Sequence, residues 1–326
     1  MQTSPSPEQE PVLAALGRPQ TYGPGVDAVE RIDTHAAVVF LAGPRAYKVK
    51  RAVRLPYLDY ATVERRRAAL ETELALNRAM APRLYLAVQP VTRAPDGSLR
   101  LGGDGPAVDW VLVMRRFEQE TLFDRLAQRG ALTPRLLTAL TDEIVRFHDE
   151  APPRPEHGGR TGIAAILDIN ERSFAALPPD ALDPHTVRAL NDASRAALAG
   201  VGALLEERRR GGRVRLCHGD LHLRNICFLD GRPTLFDRIE FSDLLACVDV
   251  LYDLSFLLMD LDHRGLGAAA NLVFNRYLDR RDEADGLPAL PLFISMHAAV
   301  RAHVGALEAA RQADPAPVRR DARAYL

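Results

Sequence analysis

The segment from Cys217 to Phe241, CHGDLHLRNICFLDGRPTLFDRIEF, places polar side chains that could do chemistry among apolar ones. Its two apolar arms flank Asp230-Gly231, a pair that predicts a tight β-hairpin turn. Asn225 lies six residues before the turn glycine, and Asp237 lies six residues after it. Opposed residues of a hairpin have Cβ atoms about 4.5–5.5 Å apart, so we expect these two side chains to converge. Their oxygen atoms are hard ligands of the kind that Mg²⁺ prefers.

Asp220 lies five residues before Asn225, in the loop that leads into the hairpin, from where it can reach the same site. Phosphoryl transfer needs a carboxylate that orients the attacking hydroxyl, and an amide and a second carboxylate that hold the metal ion. The D-x₄-N spacing, with His218 two residues before the aspartate, matches the protein-kinase catalytic loop, although Gly219 replaces its arginine. In the competing interpretation, this loop is a hydrogen-bonded turn and Asp237 is an acid at a strand end.

Size and composition limit the classes of protein. The chain of 326 residues is long enough for two lobes, and its 42 basic and 43 acidic residues nearly cancel, so we expect no nucleic acid or membrane partner. The three cysteines show no CxxC spacing, which favours a reducing compartment. The N-terminal residues lack an apolar signal core, and no stretch approaches the roughly 20 apolar residues that span a bilayer. We therefore expect a cytoplasmic protein.

The first third of the chain predicts a sheet with one prominent helix. Val38–Arg51 has two strand-like arms around Ala42-Gly43-Pro44-Arg45, which predicts a hairpin, and Thr62–Met80 has helical spacing. Further strand-like runs follow up to about residue 113. These patterns predict a small sheet-rich lobe at residues 1–113 and a connector at 114–119.

The rest of the chain, residues 120–326, predicts a larger and mostly helical lobe. Leu136–His148 and Thr186–Arg209 have helical spacing, with a segment rich in helix breakers, Ala151–Gly162, between them. The hairpin segment interrupts the helices, which resume at about Asp249. The predicted fold class is therefore α+β, with an antiparallel sheet in the first lobe and helices in the second.

Three motifs, HGDLHLRN, LFDRIEF and DVLYDLSFLL, resemble the aminoglycoside phosphotransferase family of small-molecule kinases. The resemblance extends over nearly the whole chain. It is strongest to a bacterial branch in which a P-loop ATPase domain often follows the kinase-like part, so such a domain is an expected partner. The sequence contains no GxxxxGK[ST] motif, and that domain is therefore absent from it.

The resemblance implies a bilobal, protein-kinase-like fold and the use of ATP and Mg²⁺. It implies that Asp220 is the catalytic base, that Asn225 and Asp237 bind the metal ion, and that Asp253 braces the catalytic loop. His218 and His222 stand four residues apart, but the loop context and Gly219 favour hydrogen bonds that order the loop over a zinc site.

A kinase-like site also needs a cation for the α- and β-phosphates, held by a helix glutamate. The strand segment RAYK resembles the corresponding V-A-I-K pattern, and Lys48 and Lys50 share one face of that strand. Either lysine fits, and we prefer Lys48. Glu73 lies inside the apolar arc of the predicted helix, whereas Glu71 projects away from it. Because a carboxylate on a packing face is costly unless paired, we expect Glu73 to pair with the strand lysine.

The remaining nucleotide contacts are less specific. No Gly-rich loop is present, and in its place IDTHAAV offers Thr34 or His35 as a contact to a phosphate. The segment VMRRF resembles the connector whose backbone holds the adenine, around Met114 and Arg116. In the alternative, VMRRF is a buried strand that runs into a loop.

The expected reaction is transfer of the γ-phosphoryl group of ATP to a hydroxyl of a small molecule, such as an aminoglycoside, a sugar or an amino alcohol. A short loop between Asp237 and Asp249 leaves little room for the activation segment on which protein kinases dock a peptide. About ninety mostly helical residues before the catalytic loop could instead form a small-molecule pocket. The alternatives are a kinase-shaped nucleotide sensor that regulates a partner ATPase, and a Ser/Thr protein kinase.

Overall fold

The computed structural model describes residues 8–34, 36–55, 58–309 and 314–326. The chain divides into two compact units, of which the first comprises Met1–Thr121 and Leu235–Ser242. The second comprises Leu122–Thr234 and Asp243–Leu326. Each unit has its own hydrophobic core.

The first unit contains a six-stranded antiparallel sheet with strand order β1-β2-β3-β8-β6-β7. Its described helices and strands are α1 (Glu10–Leu16), β1 (Val29–Asp33), β2 (Ala37–Ala42), β3 (Arg45–Lys50), β4 (Arg54–Leu55), β5 (Leu58–Asp59), α2 (Val63–Met80), β6 (Tyr85–Arg93), β7 (Leu99–Leu101) and β8 (Ala107–Arg115). The predicted hairpin is confirmed, because β2 and β3 pair around a turn at which Gly43 has a φ of 54°.

Helix α2 is the prominent helix that the sequence predicted, and Thr62 caps it by accepting a hydrogen bond from the backbone N–H of Arg65. It packs on β6 and β8. Leu70, Glu73 and Asn77 lie on its buried face, while Glu71 is exposed. The apolar arc read from the sequence is therefore confirmed, including the burial of its one carboxylate.

The second unit is mostly helical. Its helices and strands within the described ranges are α3 (Phe123–Gln128), α4 (Pro134–Glu150), α5 (Gly159–Ala175), α6 (Pro184–Arg210), β9 (Val214–Leu216), β10 (Ile226–Leu229), β11 (Arg232–Leu235), α7 (Asp243–Ala246), β12 (Cys247–Asp249), α8 (Val250–His263), α9 (Gly267–Arg280), α10 (Leu290–Ala309) and α11 (Ala316–Ala324). Strands β10 and β11 form the predicted hairpin, and its turn residues Asp230 and Gly231 have φ values of 50° and 82°. Two successive left-handed residues are the signature of a type I′ turn.

Helix α5 begins at Gly159, inside the segment that the sequence suggested was rich in helix breakers. Glycine is tolerated there because Gly158 and Gly159 both have positive φ at the helix start. Tertiary packing of α5 on α6 and α10 outweighs the weak local propensity.

The expectation that no stretch is long and apolar enough to span a bilayer does not hold for one helical segment. Ala284–Ala309 is helical and is long and apolar enough, by length and composition, to cross a membrane. Length and composition alone are weak evidence, because core helices meet the same criterion. Here α10 packs on α5, α8 and α11.

A buried polar network joins the N-terminal helix region to the sheet. Asp109 of β8 is wholly buried and accepts hydrogen bonds from Arg66 Nε and Gln9 Nε2, both at 2.8 Å. The Gln9 amide also donates to the carbonyl of Lys50, and its oxygen accepts from the N–H of Ala52. One carboxylate therefore connects β8 and α2 with Gln9, whose amide binds the end of β3 and the residue that lies two positions beyond it.

Removal of the Asp109 carboxylate leaves the Arg66 guanidinium buried and without its partner. We expect Asp109→Ala to lower the free energy of unfolding by about 3–5 kcal/mol, as for other broken buried ion pairs. Urea denaturation followed by circular dichroism measures the change. Asp104→Ala, at an exposed loop position of the same unit, is the control and changes stability by less than about 0.5 kcal/mol. If Asp109→Ala lowered the free energy of unfolding as little as the control does, Asp109 would not hold Arg66 and Gln9 in a buried network.

Candidate active site

Strand β3 directs two lysines at one glutamate of α2. Lys48 Nζ lies 2.8 Å from Glu73 Oε1, and Lys50 Nζ lies 2.6 Å from Glu73 Oε2. The lysines are two residues apart, so their side chains leave the same face of the strand. Glu73 thus pairs with both candidate lysines rather than with one of them.

Glu73 and Lys48 are held in their charged forms. Burial opposes ionisation of Glu73, but the charges of Lys48 and Lys50 outweigh burial and lower the pKa of Glu73 to about 2. Burial also opposes the charge of Lys48, whereas the charges of Asp237 and Glu73 raise its pKa well above the ordinary value. Because the Glu73 side chain is 0% exposed, water does not screen the pair.

The segment Leu235–Ser242 is held against α2 and β6 by contacts to its backbone. Asn77 Oδ1 accepts a hydrogen bond from the N–H of Arg238 at 2.9 Å, and Asn77 Nδ2 donates to the carbonyl of the same residue at 3.4 Å. The N–H of Asp237 donates to the Tyr85 hydroxyl at 2.9 Å. Asp237 has a φ of 61°, a conformation that costs energy for a residue other than glycine. The surrounding contacts therefore impose the direction in which the Asp237 side chain leaves the backbone.

The two acids of this segment differ in exposure. Asp237 Oδ1 lies 2.6 Å from Lys48 Nζ, yet the Asp237 side chain is 42% exposed. Glu240 is only 6% exposed, and its Oε1 lies 2.5 Å from Lys50 Nζ and 3.0 Å from the Tyr60 hydroxyl. Burial, followed by the charge of Glu73, raises the pKa of Glu240. Asp237 is thus open to a ligand, while Glu240 is part of the packing around Lys50.

The other predicted nucleotide contacts lie around the sheet of the first unit. The Thr34 hydroxyl caps the β1–β2 turn by hydrogen bonds with the backbone of Ala37, in both directions at 3.0 Å. Met114 is in β8, paired with Ala46 of β3, and Arg116 follows that strand. The N–H of Arg116 donates to the carbonyl of Pro44. His35, which the sequence also offered as a phosphate contact, lies outside the described residues.

In the second unit, one buried carboxylate fixes the loop that carries Asp220. Asp253, in the first turn of α8, accepts the backbone N–H of His218 at 3.2 Å and that of Gly219 at 2.7 Å. Gly219 has a φ of 81°, which favours glycine at the position where protein kinases have arginine. The loop therefore depends on a glycine for its shape and on Asp253 for its backbone hydrogen bonds.

The support of this loop extends further into the core. His148 Nε2 lies 2.9 Å from Asp253 Oδ2, and His148 Nδ1 lies 2.7 Å from the Tyr277 hydroxyl. All three side chains are buried. Burial opposes ionisation of Asp253, but His148, through its hydrogen bond and its charge, lowers the pKa of that carboxyl. Helices α4, α8 and α9 are thus linked behind the loop.

Asn225 and His222 hold the Asp220 side chain from the other side. Asn225 Nδ2 donates to the carbonyl of Asp220 at 2.9 Å and to its Oδ2 at 2.8 Å. His222 Nε2 lies 3.4 Å from the same carboxylate oxygen, and the N–H of Asp220 donates to His218 Nδ1. The two histidines therefore order the loop. The Asp220 side chain remains 38% exposed and so is accessible to a ligand.

Asp220 is ionised at neutral pH. Burial opposes its charge, but the charge and hydrogen bond of His222, then the charges of His218 and Arg301, lower the pKa of this carboxyl below its usual value. A carboxylate of low pKa is a weak base. A carboxylate of this kind can orient a hydroxyl and accept its proton late, as a bond to phosphorus forms.

Some supporting residues were not found from the sequence. Asn77 and Tyr85 lie in a regular helix and strand, and nothing in their spacing indicates that they bind the backbone of residues 237 and 238. Nothing in the sequence indicates that His148 and Asp253 are partners, and the bracing role of Asp253 comes only from the family resemblance. The one available signal was a polar residue on an otherwise apolar helix face, as at Asn77.

A model of a phosphotransferase enzyme family matches residues 38–289. An uncharacterized protein of Mycobacterium tuberculosis (strain H37Rv) is 28% identical over 289 residues, which are 88% of this chain and 56% of the relative. The chain thus spans about half the length of the curated relatives that it matches. Aminoglycoside phosphotransferase APH(3'')-Id from Streptomyces rimosus has a similar structure, with a TM-score of 0.51, 20% identity, and coverage of 87% of this chain and 98% of that one. A choline/ethanolamine kinase family protein from Mesorhizobium loti gives a TM-score of 0.54 at 15% identity, with coverage of 97% and 92%. These structures confirm the predicted kinase-like fold.

Glutamine at position 73 would retain the shape of the side chain and remove the negative charge that Lys48 and Lys50 share. We expect Glu73→Gln to lower the free energy of unfolding by about 3 kcal/mol, because two buried ammonium groups lose their common partner. Chemical denaturation measures the change. The control is Glu71→Gln on the same helix, whose exposed pair with Arg67 contributes less than about 1 kcal/mol. Equal losses for the two variants would show that Glu73 is not buried as described.

Alanine at position 253 would leave two backbone N–H groups of the Asp220 loop without an acceptor. We expect Asp253→Ala to destabilise the chain by about 3–5 kcal/mol and to increase amide hydrogen exchange at His218 and Gly219. Asp192→Ala, at an exposed position of α6, is the control and leaves both unchanged. Unchanged exchange in a folded Asp253→Ala variant would show that other contacts hold this loop.

Proposed function

Because the chain belongs to the phosphotransferase enzyme family, we propose that it transfers the γ-phosphoryl group of ATP to a hydroxyl of a small molecule, with Asp220 as the base. The observation that carries the proposal is the state of the Asp220 carboxylate. It is ionised and partly exposed, and its loop is anchored by the buried Asp253. An aspartate with only a structural role would not need to expose its carboxylate.

In this reaction Asp220 positions the acceptor hydroxyl. Asn225 and His222 fix the direction of the carboxylate, so a hydroxyl that donates to its free oxygen is oriented before transfer. Orientation of this kind is a large part of phosphoryl-transfer catalysis, because the bond to the leaving group is largely broken before the new bond is complete.

Asn225 and Asp237 are the proposed protein ligands of Mg²⁺, and their donor atoms fit that ion. The Asn225 amide uses its nitrogen for two hydrogen bonds to Asp220, which leaves its carbonyl oxygen as a donor atom. Asp237 is an exposed carboxylate in an imposed left-handed conformation. One amide oxygen and one carboxylate are typical of Mg²⁺ sites that also take phosphate oxygens. When bound, Mg²⁺ would neutralise charge on the triphosphate.

Lys48 is the proposed contact to the α- and β-phosphates. It lies between Glu73 and Asp237, whereas Lys50 is enclosed by Glu73, Glu240 and the Tyr60 ring, 5.2 Å from the ring centroid. This difference supports the earlier preference for Lys48. Thr34, Met114 and Arg116 stay proposals for the remaining nucleotide contacts, at the β1–β2 turn and the end of β8.

A small molecule is the proposed acceptor because the chain has little room for a peptide-docking segment. Five residues separate Asp237 from α7 (Asp243–Ala246), which leads directly into β12 and α8. The named activities of the similar structures, an aminoglycoside phosphotransferase and a choline/ethanolamine kinase family protein, agree with this choice.

A phosphorylation screen of small alcohols with labelled ATP tests the proposal, with wild type and Asp220→Asn in parallel. We expect wild-type turnover of at least one alcohol and a loss of about 10²–10⁴-fold in kcat/KM for the variant, the usual contribution of a positioned base. Asp279→Asn, at an exposed position of α9, is the matched control and retains the wild-type rate.

Two results would contradict the proposal in different ways. Near wild-type turnover by Asp220→Asn would remove Asp220 from the role of base. ATP binding without turnover of any alcohol would instead favour a nucleotide sensor.

A further inference from the structure

The sequence contains only two lysines, and both contact Glu73 in the first unit. Of the 42 basic residues, 40 are arginine, and the exceptions are Lys48 and Lys50. Lysine carries a compact charge with three donors on a flexible stem, whereas arginine carries a wide planar group. Lys48 is the proposed contact to the phosphates, but Lys50 is enclosed by side chains of the protein. Phosphate binding therefore does not explain the second ammonium group.

The ionised side chains around these lysines form one row of alternating charge. Its members, in order of contact, are Asp237, Lys48, Glu73, Lys50 and Glu240, with successive nitrogen–oxygen distances of 2.6, 2.8, 2.6 and 2.5 Å. Both ends of the row belong to the segment Leu235–Ser242, in which Asp237 and Glu240 are three residues apart. The side chain of Asp237 is partly exposed, whereas that of Glu240 is buried. The row therefore ties β3 and α2 to this segment at an open end and at a closed end.

Glu240, and not Glu73, fixes the direction of the Lys50 side chain. Lys50 Nζ donates a hydrogen bond to Glu240 Oε1, which also accepts from the Tyr60 hydroxyl at 3.0 Å. The contact of Lys50 with Glu73 Oε2 is an ion pair without hydrogen-bond geometry, because that oxygen accepts no hydrogen bond from the described residues. Lys50 thus compensates the charge of Glu73, and Glu240 holds Lys50 in the place where it does so.

Close packing alone does not determine where Glu240 lies. Its side chain borders a cavity of about 410 Å³, whose wall also includes Tyr60, Ala69 and Phe241. Phe241, the next residue along the chain, is 37% exposed. Because no dense core encloses the Glu240 carboxylate on the side of the cavity, the hydrogen bonds from Lys50 and Tyr60 set its position.

Lys50 limits how Glu73 can bind Lys48. Glu73 accepts a hydrogen bond from Lys48 at Oε1, while its Oε2 lies against Lys50. A carboxylate without a second cation can place both oxygens on one ammonium group, which has three donors. Without Lys50, Glu73 would therefore bind Lys48 with both oxygens, and fewer donors of Lys48 would remain for a phosphate.

We propose that Lys50 and Glu240 are positioning residues of the nucleotide site. Lys50 occupies the second oxygen of Glu73, and Glu240 holds Lys50 there, so that Lys48 keeps donors for the α- and β-phosphates. The same pair holds the segment Leu235–Ser242 to β3 when the Asp237 carboxylate turns to a ligand. Neither residue of the pair touches the nucleotide. This inference rests on the proposed function and adds two residues to its nucleotide site.

Calorimetric titration of the chain with a non-hydrolysable ATP analogue in the presence of Mg²⁺ tests the proposal. We expect Lys50→Met and Glu240→Gln each to weaken binding about tenfold to a hundredfold, as the removal of residues that orient metal ligands does. The matched control is the exposed pair of Arg100 and Asp96 in the same unit. Arg100→Met and Asp96→Asn bind the analogue as tightly as wild type does.

The double variant Lys50→Met/Glu240→Gln separates positioning from stability. Each single variant leaves a buried charge without its partner and is less stable in urea denaturation, whereas the double variant regains most of the loss. A positioning role predicts that the double variant binds the analogue as weakly as the single variants do. Wild-type affinity of the double variant would show that the two residues only compensate each other, and would overturn the proposal. If a single variant does not fold, the comparison of the double variant with wild type decides.

NMR of the lysine side chains gives a second readout that needs no turnover. Because Lys48 and Lys50 are the only lysines, ¹³C labelling of lysine Cε gives two lysine signals, which Lys50→Met assigns. We expect the analogue with Mg²⁺ to shift the Lys48 signal and to leave the Lys50 signal in place. Glu240→Gln shifts the Lys48 signal of the unliganded chain, because a displaced Lys50 lets Glu73 turn toward Lys48. A Lys48 signal that is the same in Glu240→Gln and wild type would contradict this link through Glu73.

Turnover distinguishes this inference from the proposed function. Phosphorylation of a small alcohol, together with wild-type binding of the analogue by Lys50→Met and Glu240→Gln, would refute the positioning roles and leave the phosphotransferase intact. Binding of the analogue that depends on both residues, without turnover of any alcohol, would refute the proposed function and leave their roles. A wild-type chain that binds no nucleotide would refute both.

Discussion

A carboxylate can be buried only where cations or hydrogen-bond donors surround it, and this constraint organises both units of the chain. Two lysines of one strand neutralise Glu73 in the first unit, and two backbone N–H groups and a histidine bind Asp253 in the second. Each buried acid therefore fixes the chain beside it. The residues proposed for catalysis are next to these fixed points, and do not themselves hold the fold.

The roles of the acidic residues follow from the exposure of their side chains. Glu73, Glu240 and Asp253 are buried and structural, whereas Asp220 and Asp237 are partly open. The two open acids sit in backbone positions that require support: a loop with a left-handed glycine before Asp220, and a left-handed conformation at Asp237 itself. Strain of this kind persists only when neighbouring contacts impose it, and it is common at sites of chemistry.

The sequence by itself determined much of this protein: the α+β class, the β2–β3 hairpin, the buried face of α2, the Asp230-Gly231 turn and the family. These features depend on local periodicity, turn chemistry and contiguous motifs, all of which involve residues that are close together in the sequence. Only the tertiary structure decided that Glu73 serves both lysines and that Asn77 and Tyr85 hold the segment around Asp237. Those contacts join residues dozens to more than a hundred positions apart, and they arise from packing and charge compensation, which leave no periodic signal along the chain.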